Sequence, residues 1–427
     1  MKYHYSNCGD VVIVDATYRI NKYKLPIVLF SGFTHSVRNC LFGFGIVNDE
    51  TEETYRWLFQ KLFENHKYKC QILVSDYDLS IEAVMNKEYK EINHLLCIWH
   101  ITQSLMKNFS YLGSMNHGAL RDRILKLPYI ETKSQFDLEV QNIKSLLKEK
   151  NFIKSLNYLE SLENIKTKWA ESYLPQKFTG GVHSTSRAES MNALLKRYVS
   201  SKSEITDCIR FFIDFEKKSI FEGFKNENNS VSTYSTHPLI LSLKRQISGV
   251  VFDKHFEQFI LSHNYYCKFS KLEDNITTYE ARHAQAQDPN RFQQVRLVGE
   301  KYDCVCDTFY RYGLICRHIF ALAVMFQDKT TEKLNIHQRW FQPSQSENAN
   351  DKQVVMNNES YDFNTKTILE CIENTESKTD EKDQHEEKKI VTFAIKERGK
   401  GAPKKEKRLK GVLEIKSKKK TSSKFIV

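Results

Sequence analysis

Two short apolar runs that each end in an aspartate constrain this chain most strongly. Residues 11–14 read Val-Val-Ile-Val before Asp15, and residues 72–75 read Ile-Leu-Val-Ser before Asp76. Apolar, β-branched runs of this length predict strands covered on both faces, so an acid at the end of each is carried to the rim of a sheet, where ligands bind. Because neighbouring carboxylates repel unless a cation lies between them, the pattern predicts a divalent-metal site at one sheet edge.

The segments around these runs predict an α/β fold with a mixed sheet. Three strands separated by short connections come first, and helices then alternate with strands. In chain order the predicted elements are strands 11–18, 26–34 and 41–47, a helix over 50–63, strand 71–75, a helix near 79–86, strand 92–97 and a helix that begins near Trp99 and His100. This order is that of the ribonuclease-H-like fold, in which an antiparallel edge continues into parallel crossovers.

The rest of the chain is predicted to add helices to this sheet. Between about 118 and 177 helical periodicity replaces the strand signal, which indicates a helical insertion. A helix start over 185–192 has Glu189 in its first turn, and a second helical stretch covers roughly 203–270. The predicted organisation is a first domain over 1–200, a helical region over 201–290, a small unit over 291–345 and a disordered tail over 346–427.

Four residues of the small unit have the spacing of a zinc site. Cys304 and Cys306 form a Cys-x-Cys pair, and after nine residues Cys316 and His318 form a Cys-x-His pair. Three thiolates and an imidazole fill a tetrahedral zinc shell, which is closed to water and therefore structural. Zinc contributes on the order of 10 kcal/mol in small domains, so we expect it to hold together a unit of about 40 residues that has too little core to fold unaided.

The net charge of +11 is concentrated at one end of the chain. Residues 396–427, here called the basic tail, carry thirteen Lys or Arg and three Glu, which leaves a net charge of +1 for residues 1–395. The basic tail has few apolar anchors, and we expect it to be disordered when free. Such clusters neutralise phosphates, act as nuclear-import signals or only keep a protein in solution, and the sequence leaves these three roles open.

Composition argues against a secreted or membrane-inserted protein. Apart from the one cluster, the ten cysteines are scattered, which is unlike the framework of a small secreted domain and favours a reducing compartment. The longest apolar stretch, over 319–326, is far shorter than the roughly 20 residues of a membrane span. No charged-then-apolar leader opens the chain.

Several of these segments together resemble one family. Residues 14–23, 48–57, 74–76, 96–100 and 185–192 look like the Mutator-like element (MULE) transposase domain. The Cys304–His318 cluster resembles the SWIM zinc finger that often follows this domain, so the resemblance spans about residues 10–345. Plant far-red-response transcription factors, which descend from such transposases and often end in a Lys/Arg-rich tail, are similar as well.

The resemblance implies that Asp15, Asp76 and Glu189 correspond to the DDE triad of the family. Such a triad holds two divalent ions, magnesium or manganese, about 4 Å apart for hydrolysis and strand transfer at DNA phosphodiester bonds. The resemblance further implies structural zinc, DNA as the partner, a nuclear location, no small-molecule cofactor, and compatibility with a homo-oligomer. Cys97 and His100 match a Cys-x-x-His element of the family, for which metal binding and packing at a helix start are equally good explanations.

Each acid also has a purely structural explanation. Asp15 is expected to bond to backbone amides if it only ends a strand. Asp78 is either the metal ligand in place of Asp76 or the cap of the following helix. Ser186 and Glu189 have the spacing of a capping box, in which the glutamate bonds back to the N-cap amide.

Proteins of this family commonly carry a separate DNA-binding domain before the catalytic sheet, whereas only ten residues precede the first predicted strand here. We therefore expect either a truncated copy or a protein whose DNA contacts have passed to the zinc unit and the basic tail. Two functions follow from the sequence: a DDE-type transposase or a close relative, and a domesticated nuclear regulator that binds DNA without cutting it.

Overall fold

The first half of the chain forms a five-stranded mixed sheet. The computed structural model describes residues 1–18, 20–63, 70–114, 117–226, 237–288 and 291–341, so the predicted tail lies outside the described residues. The strands are β1 Val11–Thr17, β2 Ile27–Phe33, β3 Asn39–Ile46, β4 Ile72–Ser75 and β5 Asn93–Leu96, in the order β3-β2-β1-β4-β5. Strand β2 is antiparallel to β1 and β3, whereas β4 is parallel to β1 and β5. The five predicted strands are confirmed.

Helices surround this sheet, and eight of them are described between residues 98 and 262. They are α1 Lys2–Cys8, α2 Glu52–Phe63, α3 Leu79–Glu88, α4 Ile98–Ser114, α5 Gly118–Lys126, α6 Lys133–Glu149, α7 Ile153–Glu163, α8 Ser186–Tyr198, α9 Ile205–Asn226, α10 Pro238–Lys244 and α11 Gly249–Ser262. Helices α4 to α7 share a core of their own, in which Phe109, Phe136 and Trp169 are fully buried. The helical character predicted for 118–177 is confirmed. None of the helices in the described part of the chain is long and apolar enough to cross a membrane.

Both faces of the first sheet are covered, as its apolar strands predict. Val12 and Val14 pack in one core with residues of α2 and α3, whereas Val11 and Ile13 belong to a second core on the opposite face. Helix α8 packs on β1 and β2, and its Ala188 belongs to the second core. Since side chains alternate along a strand, the odd-numbered residues of β1 face α8.

A second, antiparallel sheet follows in the order β6-β7-β8-β9: β6 Tyr265–Glu273, β7 Ile276–His283, β8 Gln293–Val298 and β9 Lys301–Cys304. The helical region predicted over 201–290, and the helical stretch over 203–270, are therefore wrong from Tyr265 onward. The turn between β6 and β7 explains the difference, because Asp274 and Asn275 have φ values of 49° and 62°. Two central residues with positive φ give the tight turn whose twist matches a β-hairpin.

The C-terminal segment, which contains helices α12 Asp307–Tyr310 and α13 Arg317–Met325, packs on the first sheet. Ile319 and Phe320 belong to the same buried core as Val11 and Ile13. Arg339 is almost fully buried, pairs with Asp10 just before β1 and donates to the carbonyl oxygen of Phe33. The unit predicted over 291–345 is thus not separate in its packing, because its sheet begins at Tyr265 and its helix shares the core of β1.

Candidate functional site

The parallel pairing of β1 with β4 brings Asp15 and Asp76 to one level of the sheet. Ile13 is paired with Val74, and each aspartate follows its paired residue by two positions. Because side chains alternate across a strand, both aspartates are carried toward the face that α8 covers. Asp15 lies inside β1, which continues to Thr17, whereas Asp76 comes directly after β4. The predicted arrangement of two acids at neighbouring strand ends therefore has one member within its strand.

Helix α8 brings Glu189 to the same edge. Its residues Ala188, Met191, Asn192 and Leu195 are buried, so this face of the helix packs on the sheet. The Nδ2 atom of Asn192 donates a hydrogen bond of 2.7 Å to Oδ2 of Asp15. Glu189 lies three residues earlier on α8, which places it one turn from Asn192 on the same side of the helix.

The electrostatics of Asp15 indicate that the three acids are close together. Burial and the charge of Asp76 raise the pKa of the Asp15 carboxyl to about 7; the bond from Asn192 opposes this rise, and the charge of Glu189 adds to it. A carboxylate in this position is costly without a neighbouring cation. The edge therefore has the charge arrangement of a cation site.

A thiol and an imidazole lie beside Glu189. Strand β5 ends just before Cys97, and α4 carries His100 in its first turn. The Nε2 atom of His100 lies 3.8 Å from Oε1 of Glu189, and the hydroxyl of Thr185 donates to the same oxygen at 2.9 Å. The amide nitrogen of Thr185 donates to the Cys97 sulfur at 3.3 Å, and the hydroxyl oxygen of Thr185 lies 3.3 Å from the same sulfur.

Hydrogen bonds and charges shift the titration of this pair. Burial raises the pKa of the Cys97 thiol, but hydrogen bonds from His100 and Thr185 outweigh burial and lower the pKa. Burial lowers the pKa of His100, but Cys97, Asp76 and Glu189 outweigh burial and raise the pKa to about 8. The contacts within the pair thus lower the pKa of the thiol and raise the pKa of the imidazole.

Of the structural explanations of the acids, the capping box of Ser186 and Glu189 is not observed, whereas the helix cap by Asp78 is observed. The N-cap of α8 is Thr185, whose side chain makes no capping bond, and the Glu189 carboxylate accepts from the Thr185 hydroxyl, so the capping box predicted from Ser186 and Glu189 does not form. Asp78 is the N-cap of α3, and its carboxylate accepts from the amides of Ser80 and Ile81. Asp78 therefore has the capping role that the sequence offered as one of two alternatives.

The four predicted zinc ligands come together at the end of the second sheet. Cys304 ends β9, Cys306 is the N-cap of α12, Cys316 is the N-cap of α13, and His318 lies in the first turn of α13. Gly313 permits the turn between the pairs, because its φ is +63° and an added Cβ atom would lie 2.8 Å from the Phe178 ring. Hydrogen bonds from Cys304 and Cys316 lower the pKa of Cys306, whereas burial raises the pKa of Cys316. The cluster can therefore bind zinc through thiolate and imidazole donors.

Two groups in the described part of the chain have ligand atoms that all lie within 4.8 Å of one another. One is Cys304, Cys306, Cys316 and His318, and the other is Cys97, His100 and Glu189. Asp15 and Asp76 belong to neither group. Acids that hold two ions about 4 Å apart need not share a single coordination shell.

Sequence reasoning assigned no role in the site to Asn192 or Thr185. Both lie in the segment over 185–192 that carries Glu189. Helical spacing offers the signal for Asn192, since residues three apart share a helix face. No comparable signal exists for Thr185, because its hydroxyl acts on Cys97 and His100, which are 88 and 85 residues away in the chain.

We expect Asp15→Asn to stabilise the metal-free protein at high pH. The pKa of Asp15 is raised from 3.8 to about 7 on folding, so the folded state holds this proton more tightly than the unfolded state. The free energy of unfolding of the wild type therefore falls as the pH rises from about 4 to about 7. The Asp15→Asn variant lacks this titration, so it should be as stable as wild type near about pH 4 and more stable above about pH 8. Thermal unfolding in a chelator measures this, with the exposed Asp214→Asn as control. A variant less stable than wild type at high pH would contradict the expectation.

Comparison with known proteins shows what this chain is similar to. Residues 11–104 match the MULE transposase domain. Protein FAR1-RELATED SEQUENCE 4 of Arabidopsis thaliana is 25% identical over 346 residues, which cover 79% of this chain and 46% of that protein. Protein FAR1-RELATED SEQUENCE 5 is 24% identical over 351 residues, covering 80% and 44%. Protein FAR-RED IMPAIRED RESPONSE 1 is 21% identical over 359 residues, covering 80% and 41%. Both are also from Arabidopsis thaliana.

The chain spans less than half the length of these curated relatives. The family match covers β1 to β5 and the beginning of α4, and therefore includes Asp15, Asp76, Cys97 and His100. Glu189 and the Cys304–His318 cluster follow it in the chain. Residues 11–104 of the chain thus match the MULE transposase domain, a Cys/His cluster compatible with a SWIM zinc finger follows, and the chain is homologous to the FAR1-related proteins.

Proposed function

We propose that this protein is a DDE-type transposase or a transposase-derived enzyme that cuts and joins DNA phosphodiester bonds with divalent metal ions. One observation carries the proposal: Asp15 and Asp76 stand at the same level of two neighbouring parallel strands, and α8 covers that edge with Glu189 in its first turn. The strand order β3-β2-β1-β4-β5, with its antiparallel edge and parallel crossovers, supports a ribonuclease-H-like fold for the domain.

The donor chemistry of the three acids fits hard cations. Carboxylate oxygens are the ligands that magnesium and manganese prefer. The raised pKa of Asp15 supports the fit, because bound cations would offset the repulsion from Asp76 and Glu189. When bound, two such ions activate a water or a 3′-hydroxyl and stabilise the leaving oxygen.

The residues of the chain contribute position and charge to this reaction. Asp15 and Asp76 hold the ions at the sheet edge, and Glu189 completes the set from α8. Asn192 orients Asp15 by donating to Oδ2, which leaves Oδ1 available for an ion. The rigid pairing of β1 with β4 keeps the aspartates in register, so little reorganisation is needed when the ions and DNA arrive.

For the Cys304–His318 cluster we propose one structural zinc ion. The donor set of three sulfurs and one imidazole is that of closed structural zinc sites, and three of the four ligands are buried. The zinc would fix β9 to α13, which carries Ile319 and Phe320 into the core shared with β1.

A cleavage assay tests the proposed activity. The purified full chain is incubated with supercoiled plasmid and with end-labelled duplex DNA, in magnesium, in manganese and in chelator. We expect nicking or strand joining in either metal and none in chelator. Cleavage that is equal with and without chelator, or no cleavage in either metal, would overturn the proposal.

A second candidate function is DNA binding without cleavage in a nuclear regulator. Two observations favour it: the homology to proteins named for far-red response, and the net charge of +10 on residues 396–427. Lysine and arginine clusters bind DNA by releasing the counterions of phosphates, and they also serve as nuclear-import signals. The protein would then be nuclear, with DNA as its partner.

Deleting residues 396–427 should weaken DNA binding and flatten its salt dependence. Each phosphate contact contributes about −0.9 to the slope of log K against log salt, so losing several contacts lowers the slope by several units. Fluorescence anisotropy at a series of salt concentrations measures both quantities. The control is deletion of 346–395, which carry six Lys and twelve Asp or Glu and should not contribute attraction. If the 396–427 deletion leaves the slope unchanged, the basic tail does not bind DNA.

A further inference from the structure

The acid edge carries a second type of donor that the proposed catalytic chemistry does not use. Cys97, His100 and Glu189 each offer one ligand atom, and these atoms all lie within 4.8 Å of one another. The three residues come from separate parts of the fold: Cys97 follows β5, His100 begins α4, and Glu189 begins α8. Hard cations do not select for sulfur and nitrogen, so a site for magnesium alone has no need of Cys97 or His100.

The ligand atoms lie close enough together to share one ion. Ligands at 2.0–2.3 Å from a zinc ion lie about 3.3–3.8 Å from one another, and Oε1 of Glu189 is 3.8 Å from Nε2 of His100. The Thr185 hydroxyl lies 3.3 Å from the Cys97 sulfur and 2.9 Å from Oε1 of Glu189, so it links two of the three ligands. A water molecule can complete the shell, as in zinc sites with three protein ligands.

We propose that Cys97, His100 and Glu189 bind one zinc ion, separate from the zinc at the Cys304–His318 cluster. A thiolate with an imidazole selects zinc over magnesium, since magnesium prefers oxygen ligands only. The zinc ion would bind Oε1 of Glu189 and so hold this side chain near α4. The other carboxylate oxygen, Oε2, would remain available to the ions at Asp15 and Asp76. This inference concerns metal content and does not depend on DNA cleavage.

Metal analysis of the full chain tests the inference. The purified protein is stripped with a chelator, reconstituted with zinc alone, desalted and analysed by mass spectrometry of the metal. We expect two zinc ions per wild-type chain and one in Cys97→Ser and in His100→Gln. The matched control is Cys208→Ser, which removes a buried thiol on α9 outside both groups and should keep two.

Cobalt substitution checks the ligand directly. The sulfur-to-cobalt absorption band should weaken in Cys97→Ser and stay unchanged in Cys208→Ser. One zinc ion per wild-type chain, or two in both Cys97→Ser and His100→Gln, would overturn the inference. If Cys97→Ser fails to fold, the partly exposed His100 provides the variant that decides. If the wild-type chain binds two zinc ions but does not cleave DNA, only the proposed function is refuted. If it cleaves DNA but binds one zinc ion, only this inference is refuted.

Discussion

Asp15→Asn and Asp76→Asn will each abolish metal-dependent cleavage of DNA while leaving the fold intact. Each change removes a negative charge and one ligand oxygen from the edge where β1 and β4 run in register. Mutation of a residue that only orients a metal ligand typically lowers activity by about 10–100-fold. Removal of a ligand itself should therefore lower the cleavage rate by more than about 100-fold. Initial rates on supercoiled plasmid, measured over a series of magnesium concentrations, give the loss and show whether added metal restores activity.

Asp78→Asn is the matched control for this experiment. Asp78 lies two residues from Asp76 but caps α3 through the amides of Ser80 and Ile81. Asparagine caps helices about as well as aspartate, so this variant should keep both its stability and its activity. Wild-type rates in Asp15→Asn or Asp76→Asn would refute the assignment of the triad, and a loss in Asp78→Asn equal to that in Asp76→Asn would mean that the ligand had been misidentified.

Cys316→Ser should unfold more than the segment that contains it. Structural zinc is worth about 10–16 kcal/mol in small zinc-binding peptides, whereas whole domains are stable by only about 5–15 kcal/mol. The loss of folded structure should extend to the first sheet, because Ile319 and Phe320 share a core with Val11 and Ile13. Arg339, which pairs with Asp10 beside β1, would lose its position as well.

Hydrogen exchange measured along the whole chain reports the extent of unfolding. We expect the amides of β1 and β4 to lose protection in Cys316→Ser and, to the same extent, in wild type treated with a strong chelator. Cys267→Ser, which alters a half-buried thiol on β6 outside the Cys304–His318 cluster, should cost little. Full protection of β1 in both the variant and the chelated protein would mean that the C-terminal segment folds independently of the first sheet.

The accuracy of the sequence predictions varies along the chain for a physical reason. The strands from 11 to 97 were predictable because short apolar runs bounded by turn residues are typical of buried strands. The hairpin of β6 and β7 was missed because Tyr265–Glu273 is mostly exposed and lacks a clear apolar alternation. Its one local signal was Asp274 and Asn275, a pair suited to positive φ.

The grouping of Cys304, Cys306, Cys316 and His318 could be predicted from sequence because the four residues lie within 15 positions, where spacing is governed by local geometry. The positions of Asp15 and Asp76 relative to β1 and β4 followed from two separate apolar runs. Glu189 could be assigned only through family resemblance. Its local pattern with Ser186 equally indicated a capping box, and only the position of α8 on the sheet distinguishes the two.

The sequence by itself determined the strands and helices between residues 11 and 97 and the kinds of donor atom in the Cys304–His318 cluster, since periodicity and short spacings follow from backbone geometry alone. The tertiary structure alone decided which distant residues meet. It brings Asn192 to Asp15 and Thr185 to Cys97, and it places the helix after Cys316 in the core that also contains residues of β1. A local pattern shows that a face is apolar but not what will cover it, because packing partners are selected by shape and burial over the whole chain.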